Sequence, residues 1–396
     1  MMNGLKLGLL LLALLVAVTI SEWRELEWIV YSGLALLFVA WVWSRASLIG
    51  VGFQRTLDAD RVFAGTDVRE QFRLTNRSHI PKTWVAVTDR STLPGHAFVR
   101  STSIGRRSAT CWEVSTQAHQ RGRYRLGPVE LQSGDPFGLF TNRSQVELSH
   151  ELLVYPRLVP LPKGERFGAE LSGATRVAPG RSAGSPVIRS LRQYVVGDPV
   201  NRIAWRSSAR HGLLLIKELE PDPVSDEWIL LDLVPQHGRE RRATELAVSL
   251  GASFAIERLD AARDVGLLVN RCIPAIVDAD AGDRQRLRIL ETLAVVEPYG
   301  DADPSSLISR FGARFSRSTN VVVVSTGSGR RHVQSLRHLL QRGVPVLAIA
   351  VGVTENADDG WTEVERLGVE VIRYSASAEP LDGIPARRHV PGTVTA

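Results

Sequence analysis

Three clusters in this 396-residue chain carry residue types and spacings that could do chemistry. The first is Asp232, at the end of the apolar run Trp228-Ile229-Leu230-Leu231, together with Ser325-Thr326-Gly327-Ser328-Gly329 after Val321-Val322-Val323-Val324. Ligands of open α/β sheets sit at the carboxyl ends of strands, and a hard cation in any such place needs several oxygens in fixed geometry. Here Asp232 is a single carboxylate, so the expected role is a hydrogen bond at a strand end. No metal or other cofactor is expected. The Ser- and Gly-rich turn could hold an anion at a helix N-terminus, but it lacks a lysine and reads as a tight turn. The second cluster gathers Arg192, Tyr194, Gly197, Asp198, Arg202, Trp205, Arg206, Ser208, Arg210 and Lys217 within a short span. Two readings of it stand. Tyr194 and Trp205 anchor a domain junction while Asp198 pairs with an arginine, or the aromatic and Arg side chains form a docking surface, where both types are enriched. The third cluster is Arg121-Gly122-Arg123-Tyr124-Arg125, just after Arg106-Arg107. It reads as a solvated strand face, as a contact with anionic lipid or as a nucleic-acid contact.

Other catalytic signatures are missing. There is no G-x-S-x-G, no H-E-x-x-H and no phosphate loop ending in Gly-Lys-Ser/Thr. His79, His96, His119, His150, His211 and His237 are scattered without ligand-pair spacing. Cys111 and Cys272 lie far apart and are expected to be small buried hydrophobes.

The elements that position these clusters change along the chain. Between residues 58 and 150 apolar and polar residues alternate with period two, as in Gln71-Phe72-Arg73-Leu74, Trp84-Val85-Ala86-Val87 and Val129-Glu130-Leu131. Gly65, Pro81 and Pro94-Gly95 supply turns, so six or seven short strands in a β-sandwich-like domain over 53–155 are expected. Residues 156–190 are rich in Pro, Gly and Ser and read as an irregular connector. Beyond them, continuous apolar runs alternate with helical spacing: strands at 228–234, 265–269, 321–324, 344–351 and 369–373, helices at 241–259, 284–296, 304–315, 330–341 and 361–367. That order predicts a doubly wound, mostly parallel sheet within 191–396.

Residues 1–52 read as a transmembrane hairpin. Leu7 to Ser21 and Trp28 to Ser44 are free of charge, with Trp23, Trp28, Trp41 and Trp43 near the edges. A cleaved signal peptide fits less well, because a second apolar run follows at once and no Ala-x-Ala site stands out. Lys6, Arg45, Arg55 and Arg61 lie on one side and Arg24 on the other, which predicts two spans in the cell (inner) membrane with both termini cytoplasmic.

Composition agrees with a folded, multi-domain chain. With 44% hydrophobic and 23% charged residues it is neither a disordered chain nor a collagen-like fibre, and two cysteines exclude a disulfide-stapled mini-protein. The net charge of +6 is unevenly spread: residues 51–217 carry 25 basic against 13 acidic groups, and residues 218–396 carry 20 against 26. Such a step points to different surfaces for different partners.

Leu191-Arg192-Gln193-Tyr194-Val195-Val196-Gly197-Asp198, followed by Arg202-Ile203-Ala204-Trp205 and Ser208-Ala209-Arg210, closely resembles the central motif of the bacterial "domain of unknown function 58" family. Arg121-Gly122-Arg123-Tyr124, Asp135-Pro136-Phe137-Gly138 and Val154-Tyr155-Pro156-Arg157 resemble it too. The order of C-terminal elements is similar to the von Willebrand factor A domain, which commonly binds Mg²⁺ through D-x-S-x-S and later Thr and Asp residues. In this chain neither serine of that motif follows Asp232, and Thr326 stands where the last aspartate is expected. The family resemblance implies two N-terminal spans, a β-domain, a von Willebrand A-like end and association with MoxR-type AAA+ ATPases. The function expected is therefore a membrane-anchored interaction or scaffold protein, touching membrane lipid and a protein partner, with no nucleic acid. The alternatives are an envelope-associated metal-assisted hydrolase using Asp232, or a nucleic-acid-binding protein.

Overall fold

Alternating and continuous patterns of burial divide the chain. The computed structural model describes residues 24–96, 98–161, 188–195, 203–219, 226–234, 240–271, 273–297, 303–352 and 360–374, with isolated positions between 9 and 16. Its contacts form two compact units, Met1–Arg157 and Leu158–Pro391.

The first unit opens with helix α1 (Arg24–Ala46). Within it, Glu27–Ala46 has a mean hydropathy of 1.5 and is long and apolar enough to cross a membrane. The expected second span, Trp28 to Ser44, lies inside this helix, which begins at Arg24. The expected first span falls mostly outside the described residues. Ten strands follow: β1 (Val51–Leu57), β2 (Arg61–Phe63), β3 (Asp67–Asn76), β4 (Lys82–Asp89), β5 (Phe98–Ile104), β6 (Ala109–Gln117), β7 (Gly122–Leu126), β8 (Val129–Gly134), β9 (Thr141–Val146) and β10 (His150–Tyr155). They pair as β1-β3-β6, β2-β10-β7 and β5-β4-β8-β9. Phe53, Phe72, Leu74 and Trp112 of the first sheet share one core with Val85, Val87, Ile104, Val129 and Leu131 of the third. Strand β3 shows why: its inward positions are buried and its outward ones exposed along the first eight residues. The same alternation corrects one expectation. Cys111 is exposed, because its neighbour Trp112 takes the inward position on β6.

That core holds a charge cluster the alternation does not advertise. The Arg55 side chain, fully buried, sits with Nε 3.0 Å from Glu70 Oε2 while its Nη2 pairs with Asp89. His96 closes the group, with Nε2 2.8 Å from Asp89 Oδ2 and Nδ1 2.8 Å from Thr116 Oγ1. Burial works to raise the Asp89 carboxyl, but the His96 hydrogen bond and the Arg55 charge outweigh it and hold it below its ordinary value. At Glu70 burial wins over His96 and Arg55, and the carboxyl is raised.

The second unit begins with β11 (Ile188–Gln193), α2 (Trp205–His211) and β12 (Leu215–Leu219), the two strands pairing antiparallel. Strand β11 starts inside the stretch expected as irregular connector. Then come β13 (Glu227–Asp232), α3 (Glu240–Asp260), β14 (Val265–Asn270), β15 (Ala275–Asp280), α4 (Gly282–Ala294), α5 (Pro304–Phe311), β16 (Asn320–Ser325), α6 (Val333–Gln341), β17 (Val346–Val351), α7 (Trp361–Arg366) and β18 (Glu370–Tyr374). The sheet order is β15-β14-β13-β16-β17-β18, and only β15 runs antiparallel to its neighbour. Every residue of β13, β14 and β16 is buried, as continuous apolar runs require. Trp228 and Leu230 pack with Val333, Leu336, Leu339 and Trp361, whereas Ile229 and Leu231 face Gly251 of α3 on the other side. Helices therefore cover both faces. Trp228 lies over Gly266, its register partner, where an added Cβ would come within 2.7 Å of the indole. Ala275-Ile276-Val277-Asp278 is too short an apolar run, and too exposed, to announce β15 from sequence.

Replacing Arg55 with Met leaves two carboxylates buried without their cation. Arg55→Met is expected to cost about 3–5 kcal/mol, read as a lower denaturation midpoint and faster hydrogen exchange in β3 and β4. The exposed Arg90→Met, which loses only a surface pair with Glu130, is expected to change the midpoint by less than about 1 kcal/mol.

Candidate functional site

Asp232, Asn270 and Ser325 are the last residues of β13, β14 and β16, and the strand registers place them side by side. Parallel pairing thus lines up three polar side chains at the carboxyl edge, where ligands bind on open α/β sheets. Asn270 Nδ2 donates to Asp232 Oδ1 at 2.6 Å, and Ser325 Oγ donates to Asp232 Oδ2 at 3.2 Å. A fourth residue enters from the 3₁₀ turn Gly329–His332 ahead of α6. His332 Nε2 is 3.1 Å from Asp232 Oδ2 and 3.0 Å from Ser325 Oγ. An ionised carboxylate only accepts, so this ring nitrogen is assigned the hydrogen. The His332 ring stacks on Trp361 with centroids 5.4 Å apart, and Trp361 Nε1 donates to the Gly327 carbonyl at 3.2 Å. Thr326 Oγ1 accepts from the Val234 amide at 2.9 Å and so ties the two strand-end loops together.

The cluster is sealed. Asp232 and Ser325 are wholly buried, and Asn270, His332 and Thr326 nearly so. Burial works to raise the Asp232 carboxyl, yet the bonds from His332 and Asn270 outweigh it and hold it below its ordinary value. A serine–histidine–aspartate relay needs the serine and the carboxylate on different ring nitrogens. In this cluster both meet Nε2, and the Gly327 amide donates to Ser325 Oγ at 3.0 Å. The imidazole also stands against the carboxylate oxygen that a cation would use. The arrangement is a latch on three strand ends. Sequence spacing identified Asp232 and Thr326 but missed His332, which joins them only through the turn after β16. The preceding Gly329 allows that approach, since a Cβ there would meet the backbone of Gly360 and Trp361.

A second constellation, Glu70, Asp89 and His96, brings three ligand atoms within 4.8 Å of one another. Arg55 contacts both carboxylates and supplies the positive charge that a metal would bring.

The Arg- and aromatic-rich motif folds as the small β11–α2–β12 layer. Ser208 is buried and its Oγ accepts from the Leu215 amide at 2.9 Å, pinning α2 to β12, while the Ala204 amide donates to the Leu215 carbonyl at 2.8 Å. Gly212, at φ 69°, ends the helix in the left-handed conformation glycine favours. Trp205 is not buried: it is 63% exposed, as is Val195, and Leu191, Leu213 and Leu214 are exposed with them. Arg192, Arg206 and Arg210 are also exposed, and Tyr194 is half-buried. Lys217 lies on β12 opposite Leu191. Gly197, Asp198 and Arg202 lie outside the described residues. In the first unit, Arg123 and Arg125 alternate on the exposed face of β7, and Arg121 is half-buried at its start.

Comparison with known proteins adds the following. Residues 190–369 match the family model described as "Protein of unknown function DUF58". The chain is 24% identical over 366 residues to the "Uncharacterized protein YeaD" of Bacillus subtilis (strain 168), covering 88% of this chain and 86% of that protein. Among solved structures, a CARDB domain of the PF1109 protein from Pyrococcus furiosus aligns at 15% identity and TM-score 0.20, covering 26% of this chain and 91% of its own. The manganese-loaded TRAP protein of Plasmodium vivax aligns at 14% identity and TM-score 0.28, covering 35% of this chain and 61% of its own. Likenesses this loose bear on neither fold nor function.

The latch gives a pH signature with a defined sign. A carboxyl held below its ordinary value of 3.8 stabilises the fold above that pH, and the contribution disappears as pH falls through the lowered value. Asp232→Asn is expected to cost about 1.5–3 kcal/mol near neutrality, and its deficit against the wild type should shrink below pH 3.8 in acid-unfolding curves. A deficit that stays constant down the whole acid limb would show that Asp232 is not held ionised by its partners.

Proposed function

Residues 190–369 of this chain match the DUF58 family model, and from that match we propose that the chain is a membrane-anchored interaction protein of this family, presenting a von Willebrand A-like α/β domain to a protein partner. The observation that carries the reading is the exposed surface on the β11–α2–β12 layer. Trp205, Val195, Leu191, Leu213 and Leu214 gather in the family's own motif region, with Arg192, Arg206 and Arg210 exposed in the same layer. Large apolar side chains seldom cluster on a solvated surface without a use, and Trp and Arg supply most binding hot spots. The latch at Asp232 supports the same reading, because it fills the crevice where a small ligand or cation would sit.

The anchor is α1, with the apolar run before it as a second span. The basic groups at the helix ends support cytoplasmic termini. Family resemblance supports a MoxR-type AAA+ ATPase as the partner. Helices on both faces of a mostly parallel sheet support the von Willebrand A-like reading.

Affinity capture of the full chain from crosslinked native membranes tests this. The expected result is recovery of an AAA+ ATPase with the wild type, reduced about 30-fold by Trp205→Ala, as removal of a hot spot worth about 2 kcal/mol implies. Arg210→Glu is expected to act in the same direction. Both side chains are exposed, so neither change should lower the unfolding temperature by more than a degree or two. Absence of any protein partner in those membranes would overturn the proposal.

A further inference from the structure

The first unit carries a groove of about 850 Å³ that no part of the interaction reading uses. It lies between the start of β1, the end of β3 and the start of β6, with Gly50 and Gly52 on one side and Arg73, Arg77 and Arg107 around it. All three arginines are exposed. No carboxylate lines the groove, and none of the three is ion-paired among the described residues. Three guanidinium groups around a glycine-bordered hollow leave positive charge and unused donors in one place. Planar donor forks of this kind match the oxygens of a phosphate.

Its position is fixed relative to α1. Glu27–Ala46 is 20 residues long, about 30 Å at 1.5 Å per residue, which equals the hydrocarbon thickness of a bilayer. Gly50, on the wall of the groove, follows Ala46 after one turn. That turn is not a loose hinge. Lys82, buried on β4, donates from Nζ to the Ala46 carbonyl at 2.8 Å and caps the helix. Asn76 donates to the Ile80 and Gly105 carbonyls at 2.9 Å each, and the Arg77 amide donates to the Gly50 carbonyl at 2.8 Å. Leu48 and Val51 pack on the β core, while Ile49 and Ile80 are left exposed beside the groove. With α1 across the membrane, the groove therefore opens in the headgroup layer, with apolar side chains at its edge.

We propose that this groove binds the phosphate-bearing headgroup of an anionic phospholipid in the leaflet where α1 ends. The proposal rests on the membrane-anchor reading of α1 and adds a specific lipid site to it. Basic residues near an anionic surface each strengthen binding by roughly fivefold, so three together are worth on the order of a hundredfold.

The test uses the full chain, purified in mild detergent and examined by native mass spectrometry with phosphatidylglycerol and phosphatidylcholine. Retention of phosphatidylglycerol over phosphatidylcholine is expected. The triple change Arg73→Gln, Arg77→Gln and Arg107→Gln should weaken it by on the order of a hundredfold with an unchanged circular dichroism spectrum. Arg123→Gln with Arg125→Gln, on the exposed face of β7, should leave it within twofold. Equal retention of the two lipids, or equal losses from the two sets of changes, would overturn the site. So would displacement of the lipid by millimolar inorganic phosphate, which would mark a site for free phosphate. Carbonate extraction of native membranes separates the two readings: release of the wild-type chain would end the anchor, whereas a retained chain without lipid preference would end only the groove.

Discussion

Both oxygens of the Asp232 carboxylate are occupied, and the α/β unit depends on that constraint. Parallel register sets Asn270, Asp232 and Ser325 in a row, and His332 closes over them from the turn after β16. A charged group buried without partners would cost several kcal/mol, so the loops on either side of the row are bound to the geometry that satisfies it. The carboxyl edge of the sheet, ordinarily the open face of such a fold, becomes a closed joint capped by the His332–Trp361 stack.

Closing that edge moves the available chemistry outward. On the proposed reading the sheet is a support, and the exposed groups that meet other molecules lie on the β11–α2–β12 layer and on the β-domain near α1. The first combines exposed apolar and Arg side chains in the manner of a protein interface. The second gathers Arg73, Arg77 and Arg107 with exposed Ile49 and Ile80 at its edge, in the manner of a surface for anionic lipid. Both surfaces take their arginines from the basic segment between residues 51 and 217, and the acidic excess lies beyond it.

The legible features share one physical property: the signal is local. The runs at β13, β14, β16 and β17 announce buried parallel strands, and Pro304 marks the first turn of α5. Asp232 stands out because it ends such a run. His332 does not, since nothing at fixed spacing pairs with it and only the fold brings it to Asp232. The same holds for Arg55, Glu70, Asp89 and His96, which come from separate segments of the β-domain and meet only when the sheets pack. Strand β15 is half-exposed and short, and Cys111 is exposed because composition cannot say which face of β6 it takes. Trp205 is open to two roles from its type alone, and its exposure follows only once α2 is placed.

On the proposed reading the motif layer, rather than the edge of the sheet, is the working surface. Hydroxyl-radical footprinting tests it most directly, by comparing Trp205 and Trp361 in the purified full chain and in native membranes. Trp205 should oxidise readily when purified and be protected in membranes, while the buried Trp361 stays unreactive in both. Equal oxidation of Trp205 in the two preparations would contradict it.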